Sequence, residues 1–206
     1  MIHRKIGAIA LLCAIVATAN LRASTKEWPQ WRGPGRDGIV AEFSGPQTWP
    51  DALKLKWRVE VGEGHASPIV SDGKVYLHSR QNEQEVASCL NLGTGERLWR
   101  TAYPAPYTMN PAASGHGKGP KSTPVLHDGK LHTLGISGIL SCFDADTGNL
   151  KWQKNFSSQF AQTSPVYGTA MSPLVEGELL IVHVGGNNLG ALIAFEADTG
   201  DVRWSW

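Results

Sequence analysis

The chain has 206 residues and balances 19 Lys and Arg against 18 Asp and Glu. The formal charge of +1 becomes −1 once residues 1–19, which hold Arg4, Lys5 and no acid, are removed. That balance excludes an electrostatic footprint for nucleic acid or an anionic membrane surface.

The chain opens on basic Met1-Ile-His-Arg-Lys5, followed by an apolar run from Ile6 to Ala19. The pattern is that of a secretory signal peptide over 1–23, cleaved near 19 or 23. Its apolar run is shorter than a bilayer-spanning helix requires, so no membrane span is expected after its removal. Cys13 lies inside this run without the small residue before it that a lipid-anchored cysteine would want. The expected product is periplasmic or secreted, and a leader segment fills residues 24–53.

The run Lys54-Leu-Lys-Trp57-Arg-Val-Glu-Val61 alternates strictly, with Leu55, Trp57, Val59 and Val61 on one side. It reads as a lone outer strand, because no turn precedes it.

Three units follow. Each begins with a short apolar strand opened by proline: Ser67-Pro68-Ile-Val70, Thr123-Pro124-Val-Leu126 and Ser172-Pro173-Leu-Val175. Asp72-Gly73, Asp128-Gly129 and Glu176-Gly177 mark tight turns. Second strands are expected over 74–79, 130–135 and 179–184, and third strands over 86–91, 139–144 and 191–196. Each third strand runs into a repeated phrase with Thr-Gly and, four residues beyond the Gly, a Trp. The copies carry Thr94, Gly95 and Trp99; Thr147, Gly148 and Trp152; and Thr199, Gly200 and Trp204. The phrase is the hairpin into a fourth, outermost strand, with Gly in the left-handed conformation and the indole packing on the neighbouring unit. Trp152 and Trp204 are expected to share a buried face with Leu150 and Val202.

Repetition at this spacing means units that bury their apolar faces on one another. Four-stranded units of this size read as blades of an all-β propeller. Cys89 and Cys142 occupy equivalent positions ten residues before Trp99 and Trp152, where the third unit has Ala194. They are expected to be small buried strand residues rather than a disulfide.

The segments Phe143-Asp-Ala-Asp-Thr-Gly-Asn-Leu-Lys-Trp152 and Phe195-Glu-Ala-Asp-Thr-Gly-Asp-Val-Arg-Trp204 resemble the repeats of the PQQ-like propeller family. Trp28-Pro-Gln-Trp-Arg-Gly-Pro-Gly-Arg-Asp-Gly38 resembles the start of its exported bacterial members. That family includes quinoprotein alcohol dehydrogenases and the propeller subunit of the outer-membrane barrel assembly machinery. The resemblance implies that 54–206 is the N-terminal part of a propeller, since one strand and three blades fall short of a ring of about four to eight. Self-assembly of arcs is the alternative.

Ligands of such folds are expected at the channel mouth, on loops entering the innermost strands. The candidates are His65, Ser67, His116, Lys118, Lys121, Ser122, Tyr167 and Ser172. No catalytic, cofactor-binding or metal-ligating set is assigned, and His183 has no ligand-spaced partner. The reading is a non-catalytic binding or assembly scaffold for a protein or peptide partner. The resemblance leaves, as the alternative, a PQQ- and calcium-dependent quinoprotein oxidoreductase whose site residues are expected mostly in further C-terminal blades.

Overall fold

A computed structural model of the chain describes residues 27–40, 43–160, 164–186 and 189–206. The predicted signal peptide at 1–23 lies outside the described residues. The described part holds three antiparallel four-stranded sheets and one short 3-10 turn at Pro111–His116. The first sheet comprises β1 (Ile69–Ser71), β2 (Lys74–Gln81), β3 (Gln84–Asn91) and β4 (Arg97–Pro104). The second comprises β5 (Val125–His127), β6 (Lys130–Leu134), β7 (Ile139–Asp144) and β8 (Leu150–Asn155), and the third β9 (Leu174–Glu176), β10 (Leu179–Val184), β11 (Ala191–Glu196) and β12 (Val202–Ser205). Within each sheet the strands follow in chain order, as in a propeller blade.

Local chemistry sets the turns. Ser71 pairs with Lys74, and His127 with Lys130. The two intervening residues all have positive φ, from 45° at Asp128 to 71° at Gly73, the geometry of a tight hairpin. In the third sheet Glu176 pairs with Leu179, so the loop is Gly177-Glu178, one residue beyond the expected Glu176-Gly177. In the repeated phrase, Asn91 Oδ1 accepts from the N–H groups of Gly93 and Thr94, and Asp144 Oδ1 from those of Asp146 and Thr147. Gly95, Gly148 and Gly200 sit at φ between 73° and 76°.

One expectation is corrected by a bulge. Cys89 faces Trp99 while Leu90 faces Arg97; Cys142 faces Trp152 while Phe143 faces Leu150; Ala194 faces Trp204 while Phe195 faces Val202. Each fourth strand therefore carries one extra residue, Leu98, Lys151 or Arg203, before its Trp. The extra residue breaks the period of two. Leu150 consequently leaves the face of the indole and is 48% exposed, whereas all of β12 is exposed, Trp204 at 41% and Val202 at 59%, so the buried face expected for that pair is not formed. The same pairing explains the cysteines: both are free and buried, each set opposite its Trp as Ala194 is opposite Trp204.

Two cores lie between sheets. The first joins Ile69, Tyr76, Cys89 and Trp99 to Leu131 and Phe143; the second joins Leu134 and Leu140 to Val182, Ile193 and Phe195. The indoles tie each interface to the next sheet's turn. Trp57 Nε1 donates to Leu92 O at 2.9 Å, Trp99 to Ala145 O at 2.8 Å and Trp152 to Ala197 O at 3.3 Å. The acceptors occupy the same place in the three phrases. Each ring lies flat on the Gly of that phrase, so a Cβ on Gly95, Gly148 or Gly200 would stand 2.5–2.8 Å from it. Lys74–Asp146 at 2.6 Å and Lys130–Asp198 at 2.9 Å repeat a second link across the same interfaces.

Residues 54–61 carry a docked indole but lie outside the three sheets. Of the alternating residues only Trp57 and Val61 are partly buried, while Leu55 and Val59 are exposed, and strand formation needs a main-chain partner that this run lacks among the described residues.

Candidate functional site

The loops that enter β1, β5 and β9 meet at a cavity of about 510 Å³. His65, Ser67, Lys121 and Ser172, four of the predicted mouth residues, line it. Ser67 N–H donates to Thr123 Oγ1 at 3.3 Å, and Thr123 N–H donates to Ser172 Oγ at 3.0 Å. This chain of hydrogen bonds stitches the equivalent Ser/Thr positions of the three blades together. His65 Nε2 lies 2.9 Å from His116 O, and Lys121 Nζ donates to the same carbonyl at 3.4 Å. His116 and Tyr167 do not line the cavity; their rings pack edge to face at 4.9 Å, and His116 meets the lining through the carbonyl that His65 and Lys121 contact.

The remaining two predicted residues are elsewhere. Lys118 turns to Glu83 at 3.4 Å, because that carboxylate offers a direct charge partner. Ser122 is fully buried, its hydroxyl facing the protein interior.

Gln30, Trp31 and Arg36 of the leader complete the wall. Their sequence signal was the dense Trp28-to-Gly38 motif, which nothing in local spacing connects to the mouth loops. Arg36 pairs with Glu176 at 3.3 Å and donates to Val175 O. Lys121 has no carboxylate within ion-pair distance among the described residues, and burial pushes its pKa down. No Asp or Glu lines the cavity. With Arg36 matched by Glu176, Lys121 beside Trp31, Met171 and Leu174 suits an anionic group on an apolar body.

Calcium needs six to eight oxygen ligands, usually including carboxylates. The cavity offers three hydroxyls, and no group of three or more His, Cys, Asp or Glu among the described residues could hold a metal. The residues present do not fit a calcium-bound quinone.

A buried polar cluster under the mouth escaped the sequence reading. Glu85 on β3 is fully buried; its Oε1 accepts from Ile136 N–H at 2.8 Å and its Oε2 from the Tyr103 hydroxyl at 3.0 Å. His78 Nε2 is 3.1 Å from the same hydroxyl. Burial raises the Glu85 pKa and lowers that of His78 to about 3. The cluster fixes the Gly135-Ile136 turn: a Cβ on Gly135 would stand 1.9 Å from the Glu85 carboxylate.

The family described as outer membrane protein assembly factor BamB matches residues 82–205, more than half of the chain. The chain belongs to this family. Its fold and repeats accord with that membership. The chain is 28% identical over 174 residues to the outer membrane protein assembly factor BamB of Burkholderia pseudomallei, covering 82% of this chain and 40% of that protein. It is also 26% identical over 191 residues to the 1-butanol dehydrogenase (cytochrome c) of Thauera butanivorans, covering 88% of this chain and 26% of the enzyme. Among solved structures, a europium-containing methanol dehydrogenase superposes with a TM-score of 0.56 at 20% identity, over 74% of this chain and 26% of that one, which shows the shared propeller fold. The BamB-family chain therefore spans about a quarter of the length of these dehydrogenases and 40% of its BamB relative.

Proposed function

We propose that this chain is an exported, non-catalytic propeller module that binds a partner polypeptide at the mouth formed by its innermost strands. The observation that carries this reading is Lys121, which has no carboxylate within ion-pair distance among the described residues, on a cavity lined by Trp31, Met171 and Leu174 and by no Asp or Glu. A peptide segment bearing an acidic side chain beside an apolar one complements that lining. Membership in the BamB family, and the assembly role printed in that family's description, support a scaffold. Export rests on the basic and apolar pattern of residues 1–23. No helix among the described residues is long and apolar enough to cross a membrane.

The second reading, a quinoprotein oxidoreductase, draws support from the dehydrogenases to which the chain is similar. Equilibrium dialysis of the purified chain against PQQ and calcium, followed by dye-linked oxidation of alcohols, separates the two. The scaffold reading expects neither calcium-dependent retention nor turnover. Turnover above the protein-free control would replace it.

A further inference from the structure

A second cavity, of about 250 Å³, lies where the second and third sheets meet and shares no lining residue with the mouth. Loops build it: the segment after β4 brings Tyr107, the β6–β7 turn Gly138, the segment after β8 Phe156 and Phe160, and the segment entering β9 Thr169. Three aromatic rings, those of Tyr107, Phe156 and Phe160, and six Ser or Thr residues line it. Among the described lining residues the Tyr107 phenol is the only ionisable group.

Its walls are anchored in the blades behind them. Phe156 and Phe160 pack on the second intersheet core with their ring centroids 6.4 Å apart, and Phe156 stands 6.0 Å from Phe195. Phe156 N–H donates to Gly138 O at 3.1 Å. The Ser137–Gly138 turn and Thr169 depend on Glu85: its Oε1 accepts from Ile136 N–H at 2.8 Å, and Ile136 O in turn accepts from Thr169 N–H at 2.9 Å. A carboxylate of the first sheet thus fixes a turn of the second and the segment entering the third. Gly168 allows that approach at φ 79°, since a Cβ there would stand 2.4 Å from the Ile136 side chain. A hydrogen-bonded buried carboxylate rigidifies the loops it reaches, and loops held in one shape are what a ligand site requires.

The lining limits what can enter. A charged ligand would give up its water for a surface with no counter-charge, and a wholly apolar one would strand the hydroxyls without partners. Each Ser or Thr hydroxyl can both donate and accept, although Ser157 already donates to Asn155 Oδ1 at 2.6 Å and is left to accept. A ligand that matches this lining carries several hydroxyls of its own around one apolar face. A peptide brings a single main-chain donor and acceptor per residue, and the volume falls below the ~300–1,000 Å³ of sites for drug-sized molecules, so one ring fits better than a chain. A pyranose meets each condition: its hydroxyls ring its edge, and its C–H groups pack on an aromatic face.

We propose that this cavity is a binding site for one neutral pyranose unit, the sugar's C–H face lying on an aromatic ring of the lining and its hydroxyls meeting the Ser and Thr side chains. The site is separate from the mouth, so the inference goes beyond the scaffold reading and does not depend on it.

The test titrates the full chain with the methyl β-pyranosides of glucose, galactose and N-acetylglucosamine, and with glucuronate, followed by saturation-transfer difference and amide chemical-shift NMR. At least one neutral pyranoside should bind with a Kd on the order of 1 mM, the affinity open to so small a ligand, and should shift the amides of Gly138 and Thr169. Glucuronate should bind about five-fold more weakly, for want of a counter-charge. Tyr107→Ala should weaken the pyranoside about ten-fold through loss of a ring. Absence of binding by all three pyranosides overturns the proposal, as do shifts that gather at Lys121 and Ser172 in place of Gly138 and Thr169. Glucuronate binding as tightly as the neutral sugars, or an unchanged affinity in Tyr107→Ala, overturns it as well. Should Tyr107→Ala lose its sheet signal by circular dichroism, the amide shifts of the unaltered chain decide. Failure here leaves the scaffold reading standing, because the two cavities share no residue.

Discussion

Replacing Trp99 by Ala tests the claim that an indole on a glycine holds each pair of blades. Trp99 is 9% exposed, donates to Ala145 O at 2.8 Å, and lies on Gly148 and against Tyr76 at 6.2 Å between centroids. Its removal leaves a cavity in the first intersheet core, which costs about 3–5 kcal/mol for an aromatic truncation. At about 2–4 °C per kcal/mol for a chain of this size, the melting temperature should fall by roughly 6–20 °C. Gly148→Ala attacks the same contact from the other side: its Cβ would stand 2.5 Å from the ring, at φ 73°. It should cost about 1–3 kcal/mol through overpacking, with left-handed strain added. In the double variant the added methyl meets space instead of an indole. The two losses should therefore fall short of additivity by on the order of 1 kcal/mol or more. Urea denaturation of the four chains followed by circular dichroism measures the cycle. Strict additivity, or a Trp99→Ala loss below about 1 kcal/mol, would refute the docking role. Trp152→Ala should cost less than Trp99→Ala, because that indole is only partly buried and its hydrogen bond is 3.3 Å long.

Burial lowers the His132 pKa to about 4, with His127 and Lys130 adding repulsion. The unfolded chain binds a proton there below about pH 6.5 and the folded chain does not, so stability is intact above that pH and is lost as pH falls toward 4, at up to ~1.4 kcal/mol per unit. His132→Phe should flatten the slope of stability against pH between about 6 and 5, and an unchanged slope in urea titrations would contradict the burial. Burial also raises the thiols of Cys89 and Cys142 to about 11 and about 12. Iodoacetamide at about pH 8 should leave both unlabelled in the folded chain and label both in urea, as peptide mapping would show; rapid labelling of the native chain would contradict the packing of these thiols beneath the indoles.

Features set by neighbouring residues were legible in the sequence, and features set by cross-strand partners were not. Asn91, Asp144, Thr-Gly and Asp-Gly build their turns from side chains within a few positions, so strands β7, β10 and β11 fall where the reading placed them. The bulges at Leu98, Lys151 and Arg203 are invisible locally, because an extra residue exists only relative to a partner strand. The mouth shows the same division. His65, Ser67, Lys121 and Ser172 follow from their places before the inner strands, whereas Arg36 arrives through a leader that crosses all three blades. Glu85 precedes the third strand expected over 86–91, so nothing in the sequence marked it as buried. Its burial depends on Tyr103 and on Ile136, from the next blade.

Partner binding at the mouth is open to photo-cross-linking. A photoreactive phenylalanine analogue in place of Tyr167, which is 50% exposed and packs on His116, would be irradiated in cells exporting the full chain. A discrete polypeptide adduct should form, and Lys121→Glu should weaken it, since reversing that charge repels an acidic partner segment. Absence of any adduct from Tyr167, or an adduct unaffected by Lys121→Glu, would contradict it.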